Sequence, residues 1–288
     1  KAFETLEKIS IIQPENGIIR LTLADYYREN GENQKSYNEL KLAFKSKKLD
    51  LDTKIRILVS YFPLINVNQE MRIQANELIE ILVEMYTDEY IVYMIRADIL
   101  YSENKFSEAK EQYFLALELN KVNVEAWTQV LFIQAEEKDF LQMMKTSGEA
   151  LKYFPLEPIF YFFQGFSNKN FKNYEEAIKS FTTGVDFVVD NNKLLVEFYS
   201  SLAEIYHAIQ NHELSDSFFD KSLKIDPENS IILNNYAYYL SLRKKELKKA
   251  KAMSLKANNI EKNNGTYQDT YAWILYQNNE YKEAKEWI

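Results

Sequence analysis

The feature that most limits how this chain can fold is a recurrence at 34 residues. Pro14, Pro155 and Pro227 each close an apolar helical stretch, and they lie 141 and 72 residues apart, four and two periods of 34 with 5 and 4 left over. Small residues fall on the same grid. Ala109, Tyr113 and Ala116; Ala177, Phe181 and Gly184; Ser215, Phe219 and Ser222; and Ala250, Ser254 and Ala257 repeat one pattern: small, usually aromatic four residues on, small three residues beyond. Steps of four and three put all three on one face of a helix. Small side chains there let a neighbouring helix come close, and the aromatic fills the space beside it.

Before each block lies a partner helix, as in Trp127, Val130 and Leu131, or Tyr199, Leu202, Ala203 and Tyr206. This pattern resembles the tetratricopeptide repeat, W-x2-L-G-x2-Y, then A-x3-F-x2-A, then P, over 34 residues. Residues 158–191 carry Tyr161, Gln164, Gly165, Ala177, Phe181 and Gly184; residues 196–229 end on Pro227; residues 265–288 carry Tyr271, Ala272, Leu275 and Ala284. The resemblance is strongest over 90–288 and covers nearly the whole chain more loosely. It implies an all-α, right-handed superhelical solenoid of antiparallel helix pairs, a single array over 1–288. The expected boundaries are a partial repeat at 1–16, repeats at 17–50, 51–89, 90–123, 124–157, 158–195, 196–229 and 230–264, and a truncated repeat at 265–288. The repeat at 51–89 is irregular, with an insertion around Pro63 to Gln69, and a second insertion falls at Asp190–Lys193. Both are expected between helices, where extra length is tolerated. Residues 2–12 fit only a second helix, with Ala2, Leu6 and Ile9 on its packing face, and the last residues, through Ile288, stop inside another. The chain therefore reads as excised from something longer, or as a homo-oligomer joined through exposed solenoid ends.

Composition removes many activities. Six glycines in 288 residues stand singly, about 2% against a usual share of about 7%, so no G-x-G-x-x-G or Walker loop exists to cradle a nucleotide. There is no cysteine, hence no thiolate nucleophile or thiolate metal site. With 35 Lys and Arg against 43 Asp and Glu, the net charge of −8 argues against nucleic acid as a partner. No apolar run reaches the ~18 residues of a membrane span, so direct membrane insertion by these residues is not expected. The N-terminus lacks the apolar core of a signal peptide.

No catalytic, metal or cofactor site is expected. The two histidines are His207 and His212, and Glu204-x-x-His207 has no second copy to complete a di-metal site. There is no G-x-S-x-G elbow for a nucleophilic serine. The basic run from Arg243 to Lys251 alternates with packing residues Leu247 and Ala250, which fits a solvated outer face better than an anion-binding patch.

What remains is a binding surface. In repeats of this family the first helix of each pair lines the concave wall. Carried onto this sequence, that wall includes Tyr101, Phe132, Phe162, Phe166, Glu204, Tyr238, Trp273 and Tyr276 as partner-binding candidates, with Asp98, Glu197, His207 and Asn234 among their neighbours. Two readings stay open: adjacent repeats bury these aromatics, or the aromatics and acids form a wall for an unidentified protein or peptide, basic or aromatic-rich. A clamp for an acidic C-terminus is not expected, because the corresponding places carry no ring of cations. The resemblance implies a protein-interaction scaffold. Its alternatives are the substrate-docking region of a larger enzyme and a bacterial cell-envelope assembly or secretion factor. The last repeats resemble bacterial proteins, several of them lipid-anchored, which favours the envelope, periplasmic or lipid-anchored, over the cytoplasm.

Overall fold

The structure, a computed structural model, describes residues 2–287, with the backbone alone at residues 2 and 3; the expected packing of Ala2 and the end at Ile288 lie outside the described residues. Helices and short turns make up the whole of it, and no strand occurs among the described residues. The helices form two compact units, one up to Lys138 and one from Asp139 onward.

The first unit holds α1 (Ala2–Ile12), α2 (Gly17–Glu29), α3 (Asn33–Lys45), α4 (Leu51–Val59), α5 (Phe62–Ile65), α6 (Gln69–Met85), α7 (Tyr90–Ser102), α8 (Phe106–Leu119) and α9 (Val124–Glu136). The second holds α10 (Phe140–Tyr153), α11 (Pro158–Asn170), α12 (Tyr174–Phe187), α13 (Asn192–Ala208), α14 (His212–Ile225), α15 (Ser230–Leu242), α16 (Leu247–Ile260), α17 (Gly265–Gln277) and α18 (Tyr281–Glu286). In the regular repeats a second helix packs on its own first helix and on the first helix that follows, as α12 does on α11 and α13; at the irregular repeat α3 packs on α6 rather than on α4.

One backbone device turns the chain in six hairpins. Gly31, Asn104, Lys172, Gln210, Lys244 and Asn279 adopt positive φ just past a first helix. The N–H of the next residue reaches back to the carbonyl five before it, in Glu32 to Tyr27, Lys105 to Leu100, Asn173 to Asn168, Asn211 to Tyr206, Lys245 to Leu240 and Glu280 to Leu275, at 2.8–3.0 Å. This is the Schellman arrangement, which gives partners to the last carbonyls of a helix. Only one of the six residues is glycine, so the low glycine content does not mean few left-handed positions; asparagine, lysine and glutamine fill them. At the opposite ends, Asn16, Asn123, Asn191, Asn229 and Asn264 accept side-chain hydrogen bonds from the first turns of α2, α9, α13, α15 and α17. Such caps fix where a first helix begins.

The core follows the small-residue grid. Ala97, Ala203, Ala237 and Ala272 on first helices are buried, as are Tyr113, Phe181 and Phe219 on second helices. A Cβ added to Gly165 would sit 2.6 Å from the Phe181 ring, and one added to Gly184 would sit 2.4 Å from the Phe198 ring. At these two places glycine is required by close approach.

Both insertions differ from loops between helices. Around Pro63 the chain forms the short α5, where proline occupies the first turn and needs no N–H donor, and Ile65 is buried in the core that also holds Phe44, Leu58 and Leu82. The insertion splits the irregular repeat and plugs its core. The second insertion is half helix: Asp190, at positive φ, and Asn191, the N-cap, stay in the turn, while Asn192 and Lys193 open α13, which has 17 residues where α11 and α15 have 13.

The left-handed turns generate a test. A non-glycine residue in that region carries a steric cost that glycine escapes. Gln210→Gly is expected to stabilise the protein by about 0.5–1 kcal/mol in urea unfolding; a loss of stability would show that the side chain of Gln210 outweighs its backbone strain.

Candidate functional site

The sequence-derived candidates divide between the two units. In the first, Tyr101 is half-buried, with its ring 5.2 Å from Phe106 in an edge-to-face contact, and Phe132 is 45% exposed. The neighbouring acid Asp98 accepts a 2.6 Å hydrogen bond from the Tyr113 hydroxyl, and burial raises its pKa above the usual carboxylate value. That carboxylate serves the repeat's interior.

In the second unit three first helices converge on one cavity of about 230 Å³. From α11 come Phe162, Phe166 and Lys169, spaced by four and three and so on one face; from α13 come Glu197 and Glu204; from α15 come Ile231 and Asn235. Phe162 has a double role. Its ring lies 5.5 Å from Phe198 and 5.9 Å from Phe181 in the core, while it also lines the cavity. Phe166 stacks on Phe162 and meets Phe140 edge to face.

Glu204 is fully engaged. Lys169 Nζ forms an ion pair with its Oε2, and Asn235 Nδ2 donates to its Oε1 at 3.3 Å. Lys169 is a cation in the groove, but Glu204 holds it. Glu197 differs: its carboxylate takes no hydrogen bond or ion pair among the described residues. Solvent reaches this side chain at the rim, yet the flanking helices strip away enough water to raise its pKa, the Glu204 charge raises it further, and Lys169 opposes both.

Tyr238, Trp273 and Tyr276 lie outside this cavity. Tyr238 is 39% exposed, with its ring 6.0 Å from Tyr239. Trp273, 38% exposed, stacks on Tyr276, 55% exposed, at 5.9 Å, and Tyr276 meets Tyr281 edge to face. They form a separate aromatic ledge on α17 and α18.

Sequence reasoning passed over Lys169 and Asn235. Lys169 continues the Phe162–Phe166 stripe by three residues, a signal that could have been read. Asn235 is one residue from Asn234, which the sequence placed on the wall and the structure buries. It also gave no hint of a cavity of about 580 Å³ in the first unit, lined by Leu21, Leu40, Ile57, Leu64 and Met71 among others. That space lies where α4 stops early and the chain bends through α5.

The other chemical candidates resolve into structure. Glu204 and His207 take different partners: His207 stacks on Tyr239 at 3.7 Å, with His212 5.7 Å away. No group of three or more metal-ligating side chains occurs among the described residues. Part of the basic run is held by neighbouring acids. Arg243 grips Asp216 with bonds of 2.6 and 3.2 Å, Lys249 bonds Asp220 at 2.9 Å, and Lys251 pairs with Glu280 and Glu283. These pairs tie α15 and α16 to α14 and α18.

Two family models described as tetratricopeptide repeat match residues 196–229 and 218–252, the stretch holding α13 to α15 and the groove's acids. The chain carries tetratricopeptide repeats. No curated protein matches its sequence. Among solved structures, a tetratricopeptide repeat protein from Parabacteroides merdae is 15% identical, with a TM-score of 0.62 over 81% of this chain and 89% of that one. PilW, described as a widely conserved type IV pilus biogenesis factor, is 14% identical, with a TM-score of 0.61 over 69% and 90%. YrrB, described as a repeat protein with an unusual peptide-binding site, is 17% identical, with a TM-score of 0.50 over 66% and 95%. At these identities the likeness concerns the repeat fold. Among the described residues no helix is long and apolar enough to cross a membrane.

His207 gives this region a pH signature. Burial, and then the charges of Arg243 and His212, lower its pKa. The folded state thus binds fewer protons than the unfolded chain, whose histidine titrates near 6.5, and the neutral ring's contribution is complete above that value and lost as pH falls through it. Unfolding at pH 7.5 and at pH 5 should show a larger loss of stability for the unaltered protein than for His207→Gln; equal losses would remove His207 as the source.

Proposed function

We propose that this repeat protein is an interaction scaffold whose second unit holds a segment of a partner protein in the groove between α11, α13 and α15. The observation that carries the reading is the convergence of an aromatic pair, Phe162 and Phe166, with the acids Glu197 and Glu204 on one open cavity. Aromatics give large contact area with little lost rotamer freedom, and acids select for basic partners. A basic or aromatic-rich segment of a protein or peptide is the partner this chemistry suits. Trp273, Tyr276 and Tyr238 extend the reading along the array as a second contact region.

A bacterial cell-envelope assembly or secretion role is the second reading, supported by the likeness of fold to a pilus biogenesis factor. It uses the same groove and adds a compartment.

A photo-cross-linking residue tests the groove directly. Placed at Ile231, exposed and lining the cavity, it is expected to trap a partner segment, whereas the same residue at the exposed Thr182 on α12 traps none. Phe166→Ala should cut the Ile231 yield several-fold while the protein stays folded by circular dichroism. Equal trapping at both positions would remove the groove as the binding face.

A further inference from the structure

The two carboxylates on α13 stand seven residues apart, about 10 Å along the helix, and they are chemically unequal. Both oxygens of Glu204 have partners, Lys169 and Asn235. Glu197 has none. It also borders an adjoining cavity of about 430 Å³, formed with Lys193, Val196, Ile225, Asp226 and Asn229, so it lies where two open spaces meet. Lys193, four residues upstream, makes no ion pair with it among the described residues. An exposed carboxylate at the meeting of two cavities, with no partner among the described residues, is open to an incoming guanidinium.

We propose that Glu197 is the seat of an arginine side chain from an extended basic segment of the partner, the guanidinium donating to its carboxylate and lying against the Phe162–Phe166 pair. This rests on the groove reading above and adds the residue that selects the partner's charge. Arginine suits the place better than lysine for three reasons. Its planar fork bonds a carboxylate through two parallel N–H groups, it is less strongly hydrated than an ammonium, and it stacks on aromatic faces. The chain's charge points the same way: the net −8 draws in a basic segment, and Glu197, Glu204 and Asp226 outnumber Lys169 and Lys193 around the two cavities. Lys169 has the matching geometry within the chain, a cation of α11 held by a carboxylate of α13. The partner's arginine repeats that pairing two turns earlier on α13.

The test is selection of a positional-scanning library of ten-residue peptides against the whole chain, followed by affinity measurement on the selected peptides. Selected peptides are expected to share an arginine at one position, and replacing it by alanine should weaken binding at least about tenfold. Glu197→Gln should erase that difference, and Glu197→Lys should exchange the preference for aspartate or glutamate at the same position. Thermal melts of both variants keep folding separate from binding. Peptides that need Phe166 but show no arginine preference, prefer acidic or neutral residues, or keep their arginine preference in Glu197→Gln would overturn the seat and leave the groove. A library that yields no binder, or binders indifferent to Phe166→Ala, would overturn the groove reading and the seat with it.

Discussion

Close approach of helices at small residues is the constraint on which the rest of this structure depends. A 34-residue hairpin has too little apolar surface to hold itself together, so each must press against its neighbours. Gly165 lets the Phe181 ring lie where a Cβ would be, Gly184 does the same for Phe198, and Ala203, Ala237 and Ala272 keep the same position small. Because the aromatic comes from a different helix each time, a change in size at one position is felt by the next element. The Schellman turns and asparagine caps then fix where each helix ends and begins, and so hold the grid in register.

That register also sets the electrostatics. Successive first helices present the same face, so residues on α11, α13 and α15 meet in one groove though they lie tens of residues apart in sequence. Cations and acids on neighbouring helices find each other by the same rule, as Arg243 and Lys249 do with acids of α14 and Lys251 with acids of α18. Glu197 is the exception in the groove, a carboxylate that the array leaves unmatched.

Much of the fold was legible because period and small-residue spacing are local signals. First helices begin at Gly17, Leu51, Tyr90, Val124, Pro158, Ser230 and Gly265, and α13 begins at Asn192 because the last two residues of the insertion, Asn192 and Lys193, join the helix. The insertion at Pro63 lies between α4 and α6 as expected, but its own short helix is not legible in sequence: proline forbids a continued helix yet permits a new one, and only tertiary packing decides that Ile65 is buried. The candidate site was half legible. Phe162, Phe166 and Glu204 converge as helical spacing implies, whereas the pairing of Glu204 with Lys169 and Asn235 depends on side-chain reach between helices. Scarcity of glycine excludes phosphate loops, but the turns still take up positive φ, and other residues bear its cost.

A double-mutant cycle on Gly165 and Phe181 tests the central claim most directly. In an open helix Gly→Ala stabilises by about 1 kcal/mol. Gly165→Ala is expected to destabilise the unaltered protein in urea unfolding, because the new methyl meets the Phe181 ring, and to become neutral or stabilising once Phe181→Leu has removed that ring. The coupling should be about 1–3 kcal/mol. Additive effects, with Gly165→Ala equally costly in both backgrounds, would contradict the account: the small-residue grid would then not be set by the aromatics packed against it.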